Sequence, residues 1–230
     1  MNQLQCSFCS SDFNALRRRS LTSARLLRHI QRRIAREQGS AAYDFSHDRI
    51  REVAYATITP VRRRWLHRRV ALGLETLHAG DLDTVSAQIA AHYEQANLFA
   101  QAMPYFQRAA EVAQRTYAHA DAVHYLTKGV ALLAQLPVAA EQMHQELSLQ
   151  LALALSFNLW KGPSDQEMRL AYERAEALSI QVGNHYRRMV ALCGQFVNAI
   201  TGARLQDARK LAEKACALAQ QLKNPRWQAE

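Results

Sequence analysis

The sequence predicts an all-α protein whose successive helices stack side by side, and three observations carry that prediction. Ala, Leu, Gln, Glu and Arg dominate a chain of 230 residues with 49 % hydrophobic side chains, while Gly and Pro number only 8 and 5. That mixture favours helix nearly throughout and leaves enough apolar side chain to bury a core. From Asp83 onward, apolar residues recur at helical spacing in stretches of roughly 15 residues separated by short breaks. Finally, Leu205, Ala208, Leu211, Ala212, Ala215, Ala219 and Leu222 form a stripe about one helix wide. A lone helix leaves such a stripe in water, so neighbours must cover it.

In chain order, residues 1–20 show no convincing period and read as an irregular N-terminal segment. Leu21 to Arg33 has Leu26, Leu27 and Ile30 in helical spacing among arginines. Ile34 to Glu37 and Tyr43 to Phe45 read as two short strands, joined by a Gln38–Ala42 loop in which Gly39 turns without steric cost. Ser46 is placed to cap a helix with Ile50, Val53, Ala54 and Ile58 on its apolar face. Helix, hairpin and helix together suggest the end of a winged helix-turn-helix, a partial winged-helix domain over 21–58. Thr59 and Pro60, suited to a cap and a first helical position, then start a connecting helix over 59–80. Its apolar side is Trp65, Leu66, Val70, Leu74 and Leu77, and Gly80 is suited to a left-handed end.

Residues 81–230 read as helical repeats. Helices are predicted near Asp83–Ala96, Ala100–Thr116, His119–Leu136, Glu141–Leu159, Ser164–Val182, His185–Thr201 and Leu205–Lys223. Pro137 cannot continue a helix, Gly162-Pro163 stops one, and Ser164 with Glu167 forms a capping box for the next. Gly183-Asn184 and Gly202 mark further ends. Pro104 fits only in a first turn, so its helix begins no earlier than about Ala100. Leu147, Leu149, Leu151, Leu153 and Leu155 alternate as in a strand, yet no β-branched residue lies between Glu141 and Lys161, so this is read as a helix buried on most sides. Ile89, Ala90, Tyr93, Ala102, Phe106 and Ala109 follow the order of small and large positions of a tetratricopeptide unit. Asp121-Ala122 with Tyr125 and Leu126, and Asp207-Ala208 with Leu211, Ala212 and Ala215, resemble second helices of later units, whose phase stays open. The fold class expected is therefore all-α, a tetratricopeptide-like α-solenoid preceded by a partial winged-helix segment with a short β-hairpin. Asn224-Pro225 begins another helix just before the chain stops, so truncation is expected there.

Charge is uneven. Up to Val70, 15 arginines and no lysine oppose 5 acids, a balance of +10; from Ala71 onward 14 bases oppose 15 acids, a balance of −1. Clustered cations permit phosphate contact, and they equally suit packing against acidic surfaces of other domains. Cys6 and Cys9 have the spacing of half a zinc ribbon, with no second pair to complete it. No stretch approaches the ~18 apolar residues of a membrane span, and a cytoplasmic location is the default. No Walker-type Gly-rich loop with Lys occurs. His47, Asp48 and Glu52 read as residues of a helix start, His67 with Trp65 as part of a domain seam, and His119 and His124 lack zincin spacing. Tyr93, Tyr105, Phe106, Tyr117 and Tyr125 read as core filling. No catalytic, cofactor-binding or metal-ligating residue is assigned, and the residues of a concave binding face stay unassigned.

Taken together, Phe45-Ser-His47-Asp48, Ile50-Arg51-Glu52, Tyr55, Arg62, Leu66-His67, Ala71 and Ala90-Ala-His-Tyr-Glu94 resemble the C-terminal part of bacterial STAND-class signal-transduction ATPases, whose plan is similar to that of the maltose-regulon activators. The resemblance implies that ATP belongs to an upstream domain absent here and that this chain holds no cofactor and is not an enzyme. It also implies a sensor or scaffold arm that binds a protein partner or a small inducer and packs against the ATPase domain. No membrane partner is expected. Two alternatives stand beside it: a transcriptional regulator that binds DNA through the Arg-rich winged-helix remnant, and a truncated or frameshifted product without an independent task.

Overall fold

A computed structural model describes residues 34–36, 43–45, 48–136 and 140–222. The chain divides into two compact units, Met1–Arg62 and Arg63–Glu230. In the first, strand β1 (Ile34–Arg36) runs antiparallel to β2 (Tyr43–Phe45), with Ile34 opposite Phe45 and Arg36 opposite Tyr43. The first predicted strand agrees over Ile34–Arg36, and its last residue, Glu37, lies outside the described residues. Helix α1 (Asp48–Thr57) follows, and Ile58 lies just beyond its end. The predicted segments 1–20 and Leu21–Arg33, the Gln38–Ala42 loop, the Ser46 cap, Pro137, the Cys6/Cys9 pair and the terminal Asn224-Pro225 lie outside the described residues.

The rest of the described chain is helical: α2 (Pro60–Leu77), α3 (Ser86–Gln95), α4 (Phe99–Arg115), α5 (His119–Leu133), α6 (Ala140–Lys161), α7 (Gln166–Gln181), α8 (His185–Thr201) and α9 (Leu205–Leu222). The Thr59 hydroxyl accepts the Arg62 N–H at 3.4 Å, as expected of a cap. The face that α2 buries is rotated from the predicted one. Ala71 is fully buried and Leu74 packs on the core, whereas Trp65, Val70 and Leu77 are exposed. The reason lies across the interface: α2 meets α3 through His67 and Glu75, which hydrogen-bond His92 and Tyr93. Periodicity alone counts apolar residues and cannot see that polar pair. Gly80 adopts no left-handed conformation; α2 ends earlier, with the His78 N–H donating to the Leu74 carbonyl at 3.0 Å.

From α3 to α9 each helix packs on the next, and long side chains tie alternate helices. Lys128 on α5 reaches Glu94 on α3 (2.8 Å), Gln114 on α4 donates to Ser156 on α6 (2.9 Å), and Arg187 on α8 donates to Ser148 on α6 (2.6 Å). Four of the turns share one build. Residues Asn97, Tyr117, Gly183 and Ala203 sit at φ 58°, 59°, 68° and 56°, and the next N–H reaches back to a carbonyl of the preceding helix at 2.8–2.9 Å. This is the Schellman arrangement, which satisfies the orphan carbonyls of the helix end while reversing the chain. Helices α4 and α8, each between two such turns, are both 17 residues long.

The six residues that suggested a repeat unit, Ile89, Ala90, Tyr93, Ala102, Phe106 and Ala109, are all buried. Helix α6 resolves the alternating-leucine ambiguity as a helix: Leu147, Leu149, Leu153, Ala154, Ser156 and Phe157 are buried, and Leu155 is exposed. Three local expectations fail. Pro104 lies in the second turn of α4, which begins at Phe99, so the Ala100 carbonyl lacks its intrahelical donor. Tyr117 is 84 % exposed at its turn rather than core filling. Leu205, 70 % exposed, stands off the buried face of α9.

Candidate binding groove

Helices α7, α8 and α9 line an open groove of about 580 Å3, a volume within the range of binding clefts. Its frame is set by two caps. Asp165, extended at φ −62° and ψ 138°, turns its carboxylate onto the N–H groups of Glu167 (2.9 Å) and Met168 (3.0 Å) and so starts α7. A carboxylate there satisfies two orphan donors and complements the positive end of the helix dipole. The predicted Ser164–Glu167 capping box is therefore displaced by one residue: Ser164 lines the groove, and Glu167 pairs with Lys161. Asn184 starts α8 by accepting the Arg187 N–H at 3.0 Å.

Asn198, fully buried on α8, joins the pieces. Its amide donates to the carbonyls of Pro163 (2.7 Å) and Asp165 (2.8 Å), and its side-chain oxygen accepts from the Arg204 guanidinium. With donors and acceptor all used, the buried amide carries no unsatisfied group. It ties the loop before α7 to the turn before α9 and holds Arg204 at the groove. Gly202 lets the Arg204 guanidinium lie close over the turn, since a Cβ would sit 2.8 Å from it and 3.1 Å from the Asn198 carbonyl oxygen. Gly194 likewise admits the Tyr172 ring, which a Cβ would meet at 2.3 Å.

The charged lining is partly self-paired. Arg169 donates to Glu173 one turn on (2.6 Å), and Gln195, buried on α8, donates to Glu176 (2.9 Å). Glu176 lies 3.8 Å from Lys214. Arg204, just before α9, and Asp207, Lys210, Leu211 and Lys214 on it share one face at helical spacing. These residues supply cations and hydrogen-bonding groups around a shallow apolar floor, which is the equipment for holding a ligand.

Two further polar clusters sit between helices. His67 and His92 approach Nδ1 to Nδ1 at 2.8 Å, with ring centroids 5.1 Å apart. Burial pulls both imidazoles below their ordinary pKa, and for His92 the proximity of His67 adds to it. Tyr93 donates to Glu75 at 2.7 Å and stacks on Tyr105. Burial, followed by the Glu75 carboxylate, pushes the Tyr105 phenol up to about 12 and also raises Tyr93.

The residues weighed for chemistry do not converge. Asp48 and Glu52 belong to α1, and His47 lies outside the described residues. Trp65 is exposed with the Arg69 guanidinium 4.8 Å over its ring. His119 and His124 contact Tyr117 and Tyr125 edge-on, and the Nδ1 of His119 is buried without a partner. Cys193 and Cys216 are exposed and form no disulfide. Among the described residues no group of three or more metal-ligating side chains gathers, and no helix is long and apolar enough to cross a membrane. Neither the groove nor the histidine pair was singled out from sequence. The groove had a legible signal in the spacing of Arg204, Lys210 and Lys214; the pair joins residues 25 apart and had none. No model of a known protein family matches the chain, and no curated protein matches it significantly.

Proposed function

We propose that this chain is a non-catalytic sensor or scaffold arm of a STAND-class signal-transduction ATPase, with tetratricopeptide-like repeats that hold a partner or inducer and pack against an ATPase core. The observation that carries the reading is the row of neighbour-packed helices tied across alternate members, with a charged groove along α7, α8 and α9. Such rows use their continuous surface to bind, because each repeat adds the same face to the next. The resemblance of Phe45 to Glu94 to the winged-helix and repeat junction of those ATPases supplies the placement. ATP belongs, on this reading, to the nucleotide domain of the parent protein. The test is phosphate release from ATP and magnesium by the purified chain, with release at the rate of a protein-free blank expected. Turnover proportional to protein and surviving repurification would overturn it.

A second reading has its own observation. Arg64, Arg68 and Arg69 are exposed on α2, a cation cluster that suits phosphate contact in a DNA-binding regulator. Retention of duplex DNA at low salt, lost steeply as salt rises and weakened by Arg68→Ala, would favour it over the arm.

A further inference from the structure

We propose that the groove of α7, α8 and α9 takes an acidic peptide segment in extended conformation, seated along the cations of α9. The inference rests on reading these helices as a binding arm and names what the arm binds. Among the lining residues Arg169, Arg204, Lys210 and Lys214 face two acids, Glu173 and Asp207. The pairing within that set is unequal. Arg169 is neutralised by Glu173 at 2.6 Å. Arg204 donates to the neutral Asn198 amide and carbonyl and forms only a long, partly exposed ion pair with Asp207 at 3.8 Å, a pairing open to exchange with a ligand. Lys214 is 3.8 Å from Glu176, and Lys210 has no acidic partner among the described residues. The groove therefore presents a row of cations, from Arg204 just before α9 to Lys214 on it, that are unpaired or held only in long ion pairs.

Spacing decides the class of ligand. At a rise of about 1.5 Å per residue, Arg204 and Lys214 mark the ends of a row about 15 Å long, with Lys210 between. A lone carboxylate satisfies one of these positions and leaves the others as they were. An extended peptide, at about 3.3 Å per residue, crosses that length in roughly five residues and brings side chains to one side at every second position. Ser164 and Gln166 at the start of α7 supply hydrogen-bonding groups for a peptide backbone, and Ala199 and Leu211 supply an apolar floor. A nucleic acid fits the same charges poorly. Its phosphates bring negative charge at every step, against Glu173, Asp207 and the adjacent Glu176, whereas a peptide places acids only where cations face them.

The experiment uses the whole chain and fluorescence anisotropy of a labelled pentapeptide with acids on one side of the extended chain, Glu-Ser-Glu-Ser-Glu, against its amide counterpart, Gln-Ser-Gln-Ser-Gln, and a labelled single-stranded oligonucleotide. The acidic peptide should bind at least about tenfold more tightly than the amide peptide, and less so at high salt. Lys210→Glu and, separately, Lys214→Glu should each weaken it by about fivefold or more, while Arg209→Gln, on the same helix but outside the lining, should leave it within about twofold. Lys210 and Lys214 are both exposed, so unchanged melting of these variants confirms that binding alone is read. Equal affinity for the two peptides, or indifference to both lysine substitutions, overturns the assignment. Oligonucleotide binding with the same lysine dependence overturns it in favour of a nucleic-acid groove. ATP turnover, by contrast, overturns the arm itself and leaves the peptide measurement standing.

Discussion

At the scale of single residues, a histidine pair between helices gives the fold's stability a dependence on pH. His67 and His92 share one close Nδ1 contact at 2.8 Å, which one nitrogen donates and the other accepts, so the contact is lost once both rings are protonated and neither Nδ1 can accept. Both imidazoles are held below their ordinary pKa, chiefly by burial. The sign follows from proton linkage: as pH falls past the ordinary histidine value, the unfolded chain takes up protons that the folded pair refuses. The stability this contact contributes is fully present above about pH 6.5 and is lost as pH drops through the lower folded values. Thermal melts between pH 7.5 and 5.5 should show a falling Tm, and His92→Gln should flatten the slope. An identical slope in the variant would show that other groups carry the acid sensitivity.

At the scale of elements, small residues decide how closely helices cross. Ala102 on α4 is fully buried, as are Ala90 on α3 and Ala122 on α5. Ala102→Arg introduces both volume and a charge at a contact without space or counter-ion. A loss of about 3 kcal/mol is expected, read as a fall in Tm of roughly 10 °C for a chain of this size; a melt within 2 °C of the wild type would sink the assigned crossing. These alanines were legible in sequence because their order relative to Ile89, Tyr93 and Phe106 repeats a known small-and-large pattern. The helix spans were legible for a related reason, since Pro, Gly and Asn punctuate them. What could not be read was local hydrogen-bond choice. Both Ser164 and Asp165 have capping chemistry, and only the extended backbone at Asp165 selects it. Gly202 and Ala203 stand side by side in one turn, and it is the non-glycine residue that takes the left-handed conformation, a choice that the sequence does not announce. The groove was half legible, as a period of cations on α9, but its other wall comes from α7 and from a buried asparagine that no spacing announces.

At the scale of the whole helical unit, packing between neighbours makes stability local. Among the described residues, two clusters of buried apolar side chains stand out. A large one runs from Ala71 to Ala191, and a small one joins Met189 and Leu192 of α8 to Leu218 and Ala219 of α9. Because each helix leans mainly on the next, a defect in the small group has few routes into the large one. Leu218→Ala removes a side chain that is 2 % exposed, a change that costs about 2–5 kcal/mol in a packed interior. In hydrogen–deuterium exchange, amides of α9 and the facing side of α8 should lose protection by about two orders of magnitude, each factor of ten matching about 1.4 kcal/mol. Amides of α3 to α6 should exchange as in the wild type. Since the groove is framed by α9, peptide binding should weaken in this variant even though every lining residue is retained. Equal loss of protection in all helices would mean that the unit opens as one body, and the neighbour-by-neighbour account of its stability would fall with it.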